Sequence, residues 1–312
     1  MRIPQVLHDA ILNPQTTDLC LNGGHVFVDR GTGLEKVSDL PLDPSQTKTW
    51  VLEVLSQCGR SWDARSPFMD APWSYEGKNL RMHVVFPTIS ESGLLVSLRK
   101  LPESSNSESH LRWKNQPQGF KLLVQAISRG DSILISGATG SGKTTLATDL
   151  LSQVPHSERI IALEDTPELR PHHPHFISLQ SRPPNAEGFG EITLRTLLRQ
   201  ALRMRPDRII LGETRGPEAM DLLQALNTGH RGGLATLHAN SPRDALKRLE
   251  TLALLSGTHG VSLAVIREWV ASGIQWVVQV ERLPQEGRRI REISQVCGME
   301  SGVILLRSAT TG

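Results

Sequence analysis

The chain has 312 residues, 34 Lys and Arg against 32 Asp and Glu, and 38% hydrophobic residues, enough to bury a sizeable core and to divide into two domains. A formal net charge of +2 excludes the bulk electrostatic footprint of a nonspecific nucleic-acid or membrane-surface binder. Three scattered cysteines, Cys20, Cys58 and Cys297, exclude a disulfide framework and a four-cysteine zinc site and fit a reducing compartment.

Met1 to Gln5 does not lead into the apolar run of roughly 7 to 15 residues that a signal peptide needs. Residues 1–100 then alternate short β-rich pieces with polar turns, Asp18 to Leu21 and His25 to Asp29 around Asn22-Gly23-Gly24, which predicts an α+β module with a small antiparallel sheet. Trp50, Val51, Val54 and Leu55 fall at helical spacing and predict a helix over Thr47 to Cys58. Strands are expected at Leu80 to Phe86 and Leu94 to Leu98. Residues 101–119, rich in serine with two prolines, read as a linker.

From 120 to 312 the pattern becomes strands alternating with helices, which predicts an α/β domain with a mostly parallel sheet. Strands are expected at Ser132 to Ser136, Arg159 to Leu163, Arg208 to Leu211 and Gly233 to Leu237. Helices are expected at Lys143 to Leu151, Leu194 to Met204, Pro217 to Asn227 and Pro242 to Leu255. Gln275 to Val280 and Arg288 to Val296 predict a hairpin around Gln285-Glu286-Gly287. Arg267 and Glu268 interrupt the apolar stretch Val261 to Val280, which makes a spanning helix too costly. A soluble cytoplasmic chain is the expectation.

Gly137-Ala138-Thr139-Gly140-Ser141-Gly142-Lys143-Thr144 matches G-x-x-x-x-G-K-[ST] between an apolar strand and a helix-compatible run. Glycines there let backbone N–H groups close around phosphates, Lys143 neutralises the β and γ oxygens, and the Thr144 hydroxyl ligates magnesium. ATP and Mg2+ are the cofactors this motif implies. Two apolar strands end in acids at the carboxyl edge beside that loop: Ile160 to Asp165, and Arg208 to Glu213, where Gly212 stands in the place of the aspartate usual in such a strand. Glu213 is assigned to activating the attacking water and Glu164 to the water-mediated magnesium shell, the two roles being interchangeable on sequence alone. His238, at the end of a third strand, is placed to sense the γ-phosphate, whereas His230 reads as a turn residue. Pro171-His172-His173-Pro174-His175 reads as a surface loop without a metal. Arg81, Arg99, Arg203, Arg205 and Arg215 are candidates for stabilising developing phosphate charge.

Gly137 to Thr145, Ile161 to Leu169, Leu202 to Gly216 and the histidine segment Thr228 to Asn240 resemble, in order, the Walker A, Asp, Walker B and His boxes of the type II/IV secretion ATPase superfamily. Asn227 to Leu246 and Ile293 to Glu300 look most like the tight-adherence (Flp/Tad) pilus assembly ATPases, with conjugation-type ATPases close behind. The resemblance implies a RecA-like motor domain behind a smaller PAS-like domain. It further implies a homohexameric ring, peripheral at the cytoplasmic face of the inner membrane, that works on a membrane platform protein; the near-neutral charge and the few scattered aromatics, 6 Trp, 6 Phe and 1 Tyr, lead us to expect no direct nucleic acid. It implies that Glu213 is catalytic, that Glu164 helps at the metal, that His238 reports the nucleotide state, and that Arg81 and Arg99 reach the nucleotide. Gly212 is then a habit of the family. A chain without the long N-terminal extension common in tight-adherence ATPases is the expectation, and the competing readings are a RecA-like nucleic-acid translocase and a silent ring subunit.

Overall fold

The computed structural model describes residues 3–31, 33–37, 42–63, 67–101, 113, 116–185, 187–257, 260–283 and 287–309. The chain forms two compact units, Met1–Glu103 with Pro184–Phe189, and Ser104–Pro183 with Gly190–Gly312.

In the first unit, α1 (Gln5–Leu12) precedes β1 (Asp18–Asn22), β2 (His25–Asp29) and β3 (Leu34–Lys36). Then follow α2 (Pro44–Gln57), β4 (Phe68–Tyr75), β5 (Lys78–Val85) and β6 (Leu95–Lys100). The strands form a six-stranded sheet in the order β3-β2-β1-β6-β5-β4, antiparallel throughout. Asp43 caps α2 by accepting the Gln46 N–H at 2.7 Å, and Pro44 opens its first turn, the N-terminal chemistry helices favour. Trp50, Val51, Val54 and Leu55 bury one stripe of α2 in a core with Leu80, Met82 and Val84 of β5. The strand period of two turns Arg81 and His83 to the opposite face. The sheet is larger than the sequence pattern predicts. That pattern misses β3, exposed at every position, and β4, whose Pro72 breaks the strand signal and is tolerated on the edge strand where it sits.

The second unit begins with Trp113 and α3 (Pro117–Ser128), then β7 (Ile133–Ser136), α4 (Lys143–Leu151), β8 (Ile160–Glu164) and β9 (Phe176–Gln180). It continues with α5 (Leu194–Ala201), β10 (Arg208–Leu211), α6 (Glu218–Asn227), β11 (Leu234–Leu237), α7 (Pro242–Leu254) and α8 (Leu263–Gly273). It closes with β12 (Trp276–Leu283), β13 (Gly287–Glu300) and β14 (Val303–Ser308). Strand order is β14-β13-β12-β7-β11-β10-β8-β9. β12 through β9 run parallel, and β13 and β14 add antiparallel pairs. The apolar strands are buried on both faces, as parallel strands between helix layers must be. Ile133, Ile135, Ala162 and Ile210 face α3 and α4, while Leu134, Leu163, Leu211 and Leu237 face α5 to α8.

Of the stretch expected as a linker, Leu101 stays with the first unit, its N–H donating to Asn79 O at 2.8 Å, whereas Trp113 and the start of α3 already belong to the second core. Trp113 is 2% exposed and α3 starts at Pro117; 102–112 and 114–115 lie outside the described residues, as does the hairpin tip 284–286. Among the described residues, no helix is long and apolar enough to cross a membrane. The Val261 to Val280 stretch divides into α8 and the buried strand β12.

Candidate active site

The loop 137–142 leaves β7 at its carboxyl end and enters α4 through Gly142, whose φ of 103° lies in the left-handed region that glycine tolerates. Lys143 opens the helix. Its ammonium donates to the carbonyls of Gly137 and Ala138, each at 3.0 Å, and lies 3.4 Å from His238 Nδ1. Lys143 is 8% exposed, and burial pushes its pKa down against the pull of Glu213 and Glu168.

His238, one residue past β11, has Nε2 2.8 Å from Glu213 Oε1. An ammonium can only donate, so Nδ1 accepts from Lys143 and the neutral ring carries its proton on Nε2, the nitrogen that faces Glu213 Oε1. Burial, then Lys143, hold the His238 pKa below the ordinary imidazole value, and Glu213 pulls the other way. The ring is therefore neutral at pH 7. Glu213 Oε2 accepts from Arg215. Burial works to raise the Glu213 pKa, but Arg215, His238 and Lys143 outweigh it and keep the group low and ionised. Lys143, His238, Glu213 and Arg215 thus form one continuous polar chain.

The backbone under Glu213 is fixed on both sides. Gly212 N–H donates to Leu163 O at 2.9 Å and Thr214 N–H to Thr236 O at 2.7 Å, which continues the β10 ladder past its last apolar residue. The Arg215 and Gly216 N–H groups both donate to Glu218 Oε1 at 2.7 Å. A buried network supports His238 from below: Ser136 Oγ donates to Gln279 Oε1 at 2.5 Å, and Gln279 Nε2 donates to Ala239 O at 3.1 Å. An open cavity of about 470 Å3 is lined by Gly137, Ala138, Thr139, His238, Ala239 and Asn240 among others, in the size range of small-ligand sites.

Glu164, at the end of β8, is enclosed by its own turn. It is 2% exposed. Oε1 accepts the N–H groups of Glu168 and Leu169 at 2.8 and 2.9 Å, and Oε2 accepts the Ser178 hydroxyl at 2.7 Å. Burial pushes its pKa up against those hydrogen bonds. The carboxylate within hydrogen-bond distance of Thr144 is that of Glu168, with Thr144 Oγ1 donating to Glu168 Oε2 at 3.3 Å. A Cβ on Gly212 would stand 2.8 Å from Glu164 Cγ. The glycine at that position makes room for the buried glutamate.

Arg81 and Arg99 lie in the first unit as direct cross-strand partners on β5 and β6. Arg99 Nε donates to Asp18 Oδ1 at 2.8 Å, and Arg81 is 3.8 Å from Asp70. Acids on the flanking strands thereby offset the repulsion of facing cations. Sequence reasoning missed Glu168, Gln279 and Arg288, whose Nη1 donates to Thr145 Oγ1 at 2.9 Å. Gln279 had a signal, a polar residue inside the apolar run Val277-Val278-Gln279-Val280. Arg288 had none, because its contact spans 143 residues.

The donor set fits magnesium, which favours hard oxygen ligands and usually binds through one or two protein groups together with substrate phosphates. Thr144 would ligate it and Glu168 would hold its outer shell; among the described residues no cluster of three or more His, Cys, Asp and Glu side chains could hold a metal.

The neutral His238 gives a pH prediction. An unfolded chain protonates its histidine near 6.5, whereas here the depressed folded pKa keeps the ring neutral to lower pH with Lys143, Glu213 and Arg215 around it. This group's contribution to stability therefore falls as pH drops through 6.5. An NMR titration of the His238 imidazole is expected to centre below pH 6.5, and a midpoint at or above 6.5 would contradict the neutral ring.

Residues 70–291 match the family model described as Type II/IV secretion system protein. A Mycobacterium tuberculosis protein named for conjugal transfer is 38% identical over 285 residues, 89% of this chain and 80% of that one. The crystal structure of the VirB11 ATPase from the Brucella suis type IV secretion system, in complex with sulphate, aligns with a TM-score of 0.51 and 27% identity over 93% of this chain and 92% of that one. The pilus retraction motor PilT with bound ADP aligns with a TM-score of 0.70 and 22% identity over 96% of this chain and 84% of that one, which speaks for the fold. On these matches, the chain belongs to the type II/IV secretion system protein family.

Proposed function

We propose that this chain is an ATPase of the VirB11 kind that powers a type IV secretion or conjugal-transfer machine. The observation that carries the reading is the Lys143, His238, Glu213 chain at the mouth of the phosphate loop. Lys143 neutralises the β and γ phosphates, Glu213 orients the attacking water and accepts its proton, and His238 couples the two through one tautomer. Magnesium, when bound with the nucleotide, supplies further screening of phosphate charge. Thr144 and Glu168 are its proposed ligand and outer shell. Glu164 positions Glu168 through the 165–169 turn.

In this reading the second unit is a RecA-like motor, the first a PAS-like domain, and Arg81 and Arg99 lend positive charge to the phosphates. The assembly is a homohexamer on the cytoplasmic side of the inner membrane, working on a platform protein. The tight-adherence pilus motor is a second reading, supported by the stretches Asn227 to Leu246 and Ile293 to Glu300. The near-neutral charge speaks against a nucleic-acid translocase.

Phosphate release from Mg-ATP, measured on the purified chain together with sedimentation velocity, tests the proposal. Turnover with a species of six-chain mass is expected. No turnover at any protein concentration would overturn the ATPase reading, and a monomer that turns over at full rate would overturn the ring.

A further inference from the structure

Strand order separates two sides of the phosphate loop. β7, which feeds the loop, has β11, β10 and β8 on one side, carrying His238, Glu213 and Glu164. On its other side lie β12 and β13. Arg288 is the second residue of β13, and its side chain crosses the loop at Gly142, where a Cβ would meet Arg288 Cδ at 2.7 Å. The guanidinium ends on Thr145 Oγ1 at 2.9 Å. A cation is thereby laid against the first turn of α4, the end where the helix dipole repels it.

A linear polyphosphate whose terminal phosphate faces Glu213 and His238 must direct its other end away from them. That direction is the flank of Arg288. We propose that Arg288 is a substrate-binding residue that holds the nucleoside end of the polyphosphate, its guanidinium paired with the α-phosphate and aimed by Thr145. A planar guanidinium suits this task because it makes charge-assisted, geometrically defined bonds to phosphate oxygens. Gly142 is required twice, for its backbone conformation and for the passage of the arginine stem. The inference rests on the reading of the loop as an ATP site.

The test is calorimetric titration of ADP into the full chain and into Arg288→Ala and Arg288→Lys, with steady-state ATP kinetics and thermal melts of each. Arg288→Ala is expected to weaken ADP binding about tenfold or more and to raise the KM for ATP by a similar factor. Turnover at saturation is expected to stay within about threefold, since the interaction is shared by ground and transition states. Arg288→Lys is expected to recover part of the affinity, and the melting temperatures are expected to coincide. Unchanged ADP affinity in Arg288→Ala would overturn the proposal. So would a loss of affinity that tracks a fall in melting temperature, because Arg288 would then only brace the helix. A wild-type chain that binds no ADP would refute the ATP-site reading itself, a result distinct from failure of the arginine alone.

Discussion

Glu213→Gln is expected to bind ATP and ADP with nearly native affinity and to lose roughly 10²-fold or more in turnover, the usual worth of a positioned general base. The amide keeps the volume and can still accept from Arg215. It cannot take a proton from water, and it removes the charge that His238 Nε2, 2.8 Å away, is held against. Affinity is retained because the loop and Lys143 contact their neighbours through Gly137 O and Ala138 O and not through Glu213. Phosphate release at saturating Mg-ATP, alongside ADP titration, checks both halves. Native turnover would remove Glu213 from the chemistry, and loss of binding in step with turnover would make it a structural residue.

Glu164 separates a scaffold role from a metal role by the choice of substitution. Glu164→Ala strands the Glu168 and Leu169 N–H groups and the Ser178 hydroxyl, all bonded to this carboxylate, and opens a cavity beside Gly212. Stranding buried donors and creating a void are among the few mechanisms that cost several kcal/mol. A loss of about 3 kcal/mol is expected, a fall of roughly 6–12 °C in melting temperature for a unit of this size, and turnover should drop because Glu168 is released from Thr144. Glu164→Gln preserves an acceptor for the two backbone donors and leaves Ser178 a partner. It is therefore expected to melt close to wild type and to hydrolyse ATP at a comparable rate. An inactive but fully stable Glu164→Gln protein would return the charge of Glu164 to the metal.

Much of this site could be read from residue order because its parts are local. The phosphate loop, its strand and its helix lie within Ile133 to Leu151, and short apolar runs ending in Glu213 and His238 mark the carboxyl edge of a parallel sheet. The partition of the acids was not legible in the same way. Glu164 and Glu168 are four residues apart, and which of them meets Thr144 depends on the turn through Thr166 and Pro167. That turn folds the chain back so that Glu164 can be capped by the N–H groups of Glu168 and Leu169. Gly212 reads as a missing aspartate until the Glu164 side chain is seen to fill its space. Edge elements escaped for a related reason. Phe176 to Gln180 is half-buried at every position, so it shows neither a continuous apolar run nor alternation. The composition of residues 101–119 suggests a linker, yet Trp113 Nε1 donates to the buried Asp149 carboxylate of α4 at 2.8 Å. A single large side chain decides that anchoring, and composition averages it away.

The most direct test is a structure of the full chain with Mg2+, ADP and aluminium fluoride, a mimic of the phosphoryl group in transfer. The account predicts the fluoride between Lys143, His238 and Glu213, the metal on Thr144 with Glu168 in its outer shell, and Glu164 still buried on Ser178. A Glu164 carboxylate turned out to the metal, or a fluoride remote from Glu213, would contradict it.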